Sequence, residues 1–169
     1  TAKGIKALLM TDIVHVRANQ LPPEGKVPHL AIPGTAGTGA ETTAVAVLYE
    51  DGRKLSVDHP ALLPDGVLLD GSLLDTLPEY HRKSCAMDAL AQGIESWWAK
   101  KATPGSRIHA ERAIRGVLDN LTAYMQGDRK AQDEMLHAAY ESGVAILTTR
   151  TTAAHAMSYQ ITKKLGAAH

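Results

Sequence analysis

The sequence predicts an α/β segment followed by an all-α helical bundle, with the change near residue 76. Up to that residue, short apolar runs alternate with glycine and proline, and one of them has the pattern of a β-hairpin. Beyond it, apolar residues recur at spacings of three and four, and strand patterns are absent. A chain of 169 residues suffices for one ordinary domain or two small ones, and it is long enough to bury a core.

The first 75 residues contain the predicted strands. The opening stretch TAKGIKALLM predicts a helix, and the runs HLAIPG and GVLLD predict two short strands, the second of them buried. Between them, TTAVAVLYEDGRKLSV predicts a hairpin, because β-branched and apolar residues flank the turn pair Asp51-Gly52. This mixture of a helix and strands is typical of an α/β domain.

From residue 76 onward we expect four helices. Two of them contain the stretches MDALAQGIESWW and AHAMSYQITKK. Between these, DEMLHAAYESGVAIL predicts a helix that buries one face, and Gly127 stands where the preceding helix should end. In that preceding helix, AERAIRGVLDNLTAYMQGD, the apolar face comprises Ile114, Val117, Leu118, Leu121 and Met125.

The composition excludes several classes of partner. Eighteen basic residues balance eighteen acidic ones, so no surplus of positive charge favours nucleic acid or an acidic membrane surface. No apolar run approaches the roughly 20 residues of a membrane span. The single cysteine, Cys85, rules out an internal disulfide and suits a reducing compartment, so we expect a cytoplasmic protein.

A turn rich in glycine and threonine, IPGTAGTGAETT at residues 32–43, is the first candidate for chemistry. Its glycines let backbone amides approach a ligand closely, and its threonines add hydroxyl donors, a combination suited to phosphate oxygens. The stretch is neither a P-loop nor a G-x-G-x-x-G motif. A plain glycine-rich turn before the hairpin explains the spacing equally well.

Two further stretches carry candidate cation ligands. Asp88 and Gln92 in DALAQ lie four residues apart and share a helix face, so both oxygens could reach one cation. His155 and His169 lie fourteen residues apart in HAMSYQITKKLGAAH, and they could meet if the chain folds back. Two imidazoles and a carboxylate suit Fe²⁺ or Zn²⁺ with one position left open. Taken singly, each of these residues is more often structural or solvated.

The three stretches PGTAGTGAETT, MDALAQGIES and HAMSYQITKKLGAAH together resemble the iron-containing (group III) alcohol dehydrogenases, which have the dehydroquinate synthase-like fold. The resemblance covers essentially the whole chain. It implies that residues 1–75 are the C-terminal part of a dinucleotide-binding domain whose N-terminal half is missing. It also implies that residues 76–169 are a metal-binding helical domain truncated at its C-terminus. We therefore expect an internal fragment that is inactive in isolation.

The resemblance implies metal ligands at Asp88, His155 and His169. Gln92 stands where most members of the family have a fourth ligand, a histidine. A glutamine oxygen is a weaker neutral ligand than imidazole, so Gln92 leaves the identity and the affinity of the metal open. The resemblance implies Fe²⁺, with Zn²⁺ as the alternative.

For the cofactor, NAD(P)H, the resemblance aligns Thr35, Gly37 and Thr38 with the pyrophosphate-binding turn. It aligns Lys54, on the second hairpin strand, with a lysine that reaches the ribose or nicotinamide. Tyr159 stands where many members have another active-site histidine, and a role in proton transfer follows from that position.

A narrower resemblance links TRTTAAHAMSYQIT and the Gln of DALAQ to the branch that includes phosphonoacetaldehyde reductases. Such a substrate carries a dianion beside its aldehyde and needs a cation nearby. Arg150, five residues before His155, offers a guanidinium fork for phosphonate oxygens. A surface position, paired with a carboxylate or facing solvent, is an equal alternative for this arginine.

The function that these resemblances imply is hydride transfer between NAD(P)H and a small aldehyde or alcohol, with phosphonoacetaldehyde reduction to 2-hydroxyethylphosphonate as its narrower form. One alternative keeps the fold and changes the reaction, giving a metal-dependent lyase similar to dehydroquinate synthase. Another is a fragment without turnover that binds only metal or partner chains. An exposed sheet edge would favour association into a homo-oligomer.

Overall fold

The computed structural model describes residues 2–22, 27–50 and 53–165. Contacts divide the chain into two compact units. The α/β unit comprises Thr1–Ala31 and Ala40–Leu68, and the helical unit comprises Ile32–Gly39 and Leu69–His169. The division differs from a single boundary near residue 76, because the glycine-rich segment 32–39 groups with the helices. Side chains are not described for Tyr49, Glu50, Arg53, Lys54, Tyr159, Gln160 and Lys163.

In its described residues, the α/β unit contains two short α-helices and two separate pairs of strands. Its elements are α1 (Ala2–Met10), α2 (Ile13–Arg17), β1 (Leu30–Ala31), β2 (Val45–Glu50), β3 (Arg53–Asp58) and β4 (Gly66–Val67).

The strand pairings confirm the predicted hairpin and add a parallel pair that the sequence did not predict. Strands β2 and β3 pair antiparallel, as expected for a hairpin, although the turn pair at 51–52 lies outside the described residues. Strands β1 and β4 pair in parallel over two residues each. GVLLD does form a strand, β4, but it is only two residues long. The prediction that this stretch is buried is wrong, since Leu68 directly after the strand is 51% exposed.

A small apolar core and a buried lysine hold the α/β unit together. Lys3 on α1 is 7% exposed, and its ammonium donates to the carbonyl oxygens of Ala40 and Thr43. Burial removes the ammonium from water and lowers the pKa of Lys3 to about 8. The core around this anchor consists of Ala7, Val16, Leu21, Ala46, Val57 and Leu62.

The helical unit confirms the expected bundle. After a 3-10 helix at Gly71–Leu74, it consists of α3 (Glu79–Trp98), α4 (Pro104–Met125), α5 (Arg129–Thr149) and α6 (Ala153–Leu165). Within the described ranges, no helix combines the length and the apolar content needed to cross a membrane.

Local sequence signals mark the ends of α4 and the start of α5. Thr103 and Ser106 form a reciprocal capping box at the start of α4. Gly127 follows the last residues of α4 with φ +82°, and the amide of Asp128 donates to the carbonyl of Ala123, which is the Schellman arrangement. The Asp128 carboxylate then accepts from the Ala131 amide and caps α5.

The helices pack closely through small residues. A Cβ at Gly93 of α3 would lie 3.2 Å from the carbonyl oxygen of Ala110 on α4, and one at Gly116 of α4 would lie 2.8 Å from the Cβ of Ala138 on α5. The prediction that Leu118 belongs to the buried face of α4 is wrong, since it is 60% exposed. Ala110 and Ala113 are fully buried instead, because backbones this close leave room only for methyl groups on that face.

Candidate active site

The segment at residues 32–39, which we call the glycine turn, lies against α3. The Cβ of Cys85 on α3 would be 2.8 Å from a Cβ at Gly37, so the two backbones touch without an intervening side chain. Ala36 and Gly37 are buried, whereas Thr35 and Thr38 are exposed. The turn is therefore fixed from beneath and presents threonines on its outer side.

The other end of the glycine turn lies against α5. Gly39 adopts φ +55°, and a Cβ there would lie 2.5 Å from the Cα of Gly143 and 2.7 Å from the carbonyl oxygen of Ala139. Both the left-handed conformation and this approach require a residue without a side chain. Glycine at this position lets the turn lie directly on the helix backbone.

Two of the predicted metal ligands meet between α3 and α6. Asp88 lies on α3 and His155 in the first turns of α6, and their Oδ1 and Nε2 atoms are 3.0 Å apart. Their side chains are 9% and 7% exposed. The spacing of the sequence could not establish this contact, because 67 residues separate the two.

Glu95, which was not predicted as a site residue, contacts the opposite side of the same imidazole. Its Oε1 lies 3.1 Å from Nδ1 of His155 and accepts from the backbone amide of His155 at 3.3 Å. Its Oε2 accepts from the backbone amide of Thr152 at 2.5 Å. Glu95 lies seven residues after Asp88, two helical turns along the same face of α3, and that periodicity is the signal that could have identified it.

The two carboxylates raise the pKa of His155. The main cause is the hydrogen bond to Asp88, which together with Glu95 outweighs the opposing effect of burial. Burial is the largest single influence on Glu95 and acts to raise its pKa. The hydrogen bonds from Thr152 and His155 together exceed it, so the pKa of Glu95 lies below its ordinary value. Both shifts favour an ordered, charged cluster.

Gln92 connects Asp88 to the glycine turn. Its Nε2 donates to Oδ1 of Asp88 at 3.2 Å and to the carbonyl oxygen of Thr38 at 3.4 Å. Its Oε1, the atom that could bind a cation, accepts from the hydroxyl of Ser142 at 2.9 Å. In this arrangement Gln92 presents a nitrogen without a free lone pair to Asp88 and acts as a hydrogen-bond donor.

A cavity of about 350 Å³ opens beside the Asp88–His155 pair. Helix α3 and helix α6 form its walls, so the cavity lies wholly within the helical unit. Both small hydroxyls and apolar groups face it, a mixture suited to a small molecule of moderate polarity. The lining residues are Ser84, Met87, Asp88, Ala91, Ala154, His155 and Ser158.

The pair at the cavity fits two positions of a divalent metal site. Two ligand atoms about 2.1 Å from one ion, with bonds about 90–110° apart, lie about 3.0–3.4 Å from each other. The 3.0 Å between Asp88 Oδ1 and His155 Nε2 agrees with that range. In the described part of the chain, no group of three His, Cys, Asp or Glu could hold a metal. The third predicted ligand, His169, lies outside the described residues.

The structure does not place the side chains of three other predicted site residues at the cavity. The backbone of Lys54 lies on β3 and that of Tyr159 on α6, but both side chains are outside the described residues. Arg150 is exposed and ends α5 with φ +63° and ψ 173°. It is not among the residues that line the cavity within the described ranges.

Two family models match the chain. The model of the iron-containing alcohol dehydrogenases matches residues 1–71. The model of the C-terminal domain of the Fe-containing alcohol dehydrogenase family matches residues 83–169.

Individual relatives agree with these matches. An alcohol dehydrogenase of Thermococcus barophilus is 34% identical over 82% of the chain and 36% of its own length. A phosphonoacetaldehyde reductase of Streptomyces viridochromogenes is 36% identical over 90% of the chain and 39% of its own length. The structure of sulfoacetaldehyde reductase from Bifidobacterium kashiwanohense in complex with NAD⁺ superposes with a TM-score of 0.90 at 28% identity, covering 97% of the chain and 46% of that protein. The chain thus spans less than half the length of each of these relatives.

Proposed function

Because the chain belongs to the iron-containing alcohol dehydrogenase family, we propose that its site serves hydride transfer between NAD(P)H and a small aldehyde or alcohol. The observation that carries the proposal is the contact of Asp88 with His155 in the lining of a cavity, with Gln92 hydrogen-bonded both to Asp88 and to the glycine turn. A cation site, a dinucleotide turn and space for a small substrate are the three parts that this reaction needs.

Asp88 and His155 would hold the divalent cation, with His169 as the third ligand. When bound, such a cation supplies Lewis acidity, which stabilises negative charge on a substrate oxygen by several kcal/mol. The carboxylate contributes charge and the imidazole a neutral nitrogen, a donor set that Fe²⁺ and Zn²⁺ accept. Gln92 positions Asp88 in this proposal through its amide hydrogen bond.

The glycine turn would bind the pyrophosphate of NAD(P)H. Thr35 and Thr38 offer hydroxyls on its exposed side, and Gly37 keeps the backbone close to α3. The bound nicotinamide supplies the hydride. Lys54 is assigned to the ribose or nicotinamide, and Tyr159, one helical turn beyond His155 on α6, to proton transfer at the substrate oxygen.

The test is metal analysis of the protein together with its NAD(P)H oxidation in the presence of an aldehyde. We expect Asp88→Ala to lose the bound metal and any activity. Asp119→Ala, which removes an exposed carboxylate from α4, is the matched control and should leave both unchanged. Full metal content in both Asp88→Ala and His155→Ala would refute the assigned site.

A narrower substrate class, aldehydes that carry an anionic group, is favoured by two of the relatives. One reduces phosphonoacetaldehyde and the other sulfoacetaldehyde, as their names state. Arg150 is the proposed partner of the anionic group, three residues before α6 begins. We expect Arg150→Ala to raise the KM for phosphonoacetaldehyde far more than the KM for propionaldehyde. Arg107→Ala, an exposed arginine at the start of α4, is the control, and equal effects of Arg150→Ala on both substrates would remove the assignment.

A further inference from the structure

Glu95 is a buried carboxylate that the proposed reaction does not use directly. Only 2% of its surface is exposed. A buried charge is expensive unless several hydrogen bonds compensate it. Glu95 has three, from the backbone amides of Thr152 and His155 and from the imidazole of His155. Its two oxygens therefore hold both the first turn of α6 and the side chain that this turn carries.

The orientation of the His155 ring follows from its two neighbours. Because Nδ1 faces a carboxylate that accepts hydrogen bonds, Nδ1 must carry a proton. Nε2 faces the Asp88 carboxylate and the cavity, and a cation at the position shared with Asp88 would replace the proton that Nε2 carries in this contact. A histidine that binds a metal commonly donates its other N–H to a carboxylate, which fixes both the tautomer and the plane of the ring.

We propose that Glu95 is the positioning residue of the cation site, holding His155 as the Nδ1–H tautomer so that the Nε2 lone pair points to the position shared with Asp88. The inference rests on the proposed function, since it takes His155 as a metal ligand. Glu95 then does more than cap helix α6, because its carboxylate determines which nitrogen of His155 can bind the cation.

Replacement of Glu95 by glutamine separates these two roles. A glutamine side chain has one oxygen and one NH₂ group. If its oxygen accepts from Thr152, its nitrogen faces Nδ1 of His155 and donates to it, which forces the ring proton onto Nε2 and blocks ligation. The cap then survives in part, whereas the ligand atom is lost.

The experiment is a Co²⁺ titration of the metal-free full chain, followed by the visible absorption of the bound ion. We expect Glu95→Gln to weaken Co²⁺ binding by about 10–100-fold and to change the spectrum of what remains bound. Asp128→Asn, which makes the same acid-to-amide change at the N-cap of α5 away from the site, is the matched control and should leave the Kd within about twofold of the unsubstituted protein.

His155→Ala distinguishes failure of this inference from failure of the proposed function. If His155→Ala loses Co²⁺ and Glu95→Gln binds it as the unsubstituted protein does, the inference about Glu95 is wrong and the metal site stands. If His155→Ala also binds normally, the metal site itself is wrong.

A second measurement needs no variant and so does not depend on how Glu95→Gln folds. ¹⁵N NMR of the Zn²⁺-loaded, histidine-labelled protein reports which nitrogen of His155 carries the proton. We expect a protonated Nδ1 and a metal-bound Nε2. The reverse assignment would overturn the proposal.

Discussion

Replacing Gly39 with alanine should destabilise the helical unit more than any other single methyl group added to the glycine turn. Gly39 has φ +55°, a conformation that costs an L-residue roughly 1–2 kcal/mol. The added Cβ would also lie 2.5 Å from the Cα of Gly143 and 2.7 Å from the oxygen of Ala139, both backbone atoms of α5. Neither atom can move as the end of a flexible side chain can.

The magnitude follows from these two terms. Forcing a methyl group into a closely packed site costs about 1–3 kcal/mol in measured cores. Together with the conformational cost, Gly39→Ala should lower the free energy of unfolding by about 2–5 kcal/mol. Against a typical total of about 5–15 kcal/mol, this is a large fraction of the stability.

Chemical denaturation followed by circular dichroism measures this difference. Gly34→Ala in the same turn is the matched control, because no described atom lies within 4 Å of a Cβ there and its φ is not positive. We expect Gly34→Ala to remain within about 0.5 kcal/mol of the unsubstituted protein. Equal stabilities of the two variants would contradict the close contact of the turn with α5.

Three further predictions concern other parts of the chain. The pKa of Lys3 is lowered to about 8 from 10.5, so between these pH values the unfolded chain binds more protons than the folded one. The free energy of unfolding should therefore rise with pH across that window, by at most about 3 kcal/mol. Denaturation curves of Lys3→Met should lack this rise. Thr103→Ala removes the capping box of α4 and should cost about 1 kcal/mol in urea denaturation, whereas Thr122→Ala on the exposed side of the same helix should change little. Arg150→Gly should raise the free energy of unfolding by about 1 kcal/mol relative to Arg150→Ala, because the backbone region at φ +63° and ψ 173° is nearly exclusive to glycine; a loss of stability would contradict this.

Sequence patterns predicted the helices well, because caps and glycines mark their ends locally. Gly127 ends α4 as expected, with the hydrogen bonds of a Schellman motif. The buried face of α4 was harder to predict, since the apolar pattern selected Leu118 whereas alanines fill the contact. Small residues give a weak hydrophobic signal, and their burial depends on how closely the neighbouring helix approaches, which is a tertiary property.

For the site, the resemblance to the family selected Asp88 and His155 as partners, and the structure brings them together. Glu95 was not predicted as a site residue because a glutamate on a helix is usually solvated. Its hydrogen-bond partner His155 lies 60 residues further along the chain. The donor role of Gln92 depends on Ser142, which residue spacing could not connect to it either. Contacts between distant helices determine the hydrogen-bond partners of both residues.

The amide group of Gln92 links the glycine turn to Asp88. Its nitrogen hydrogen-bonds both the carbonyl of Thr38 and the carboxylate of Asp88, and its oxygen accepts from Ser142 on α5. A shift of the backbone at Thr38 is therefore transmitted to Asp88 through a single atom, Nε2 of Gln92. We therefore expect a ligand that displaces the glycine turn at Thr38 to displace the carboxylate of Asp88 as well.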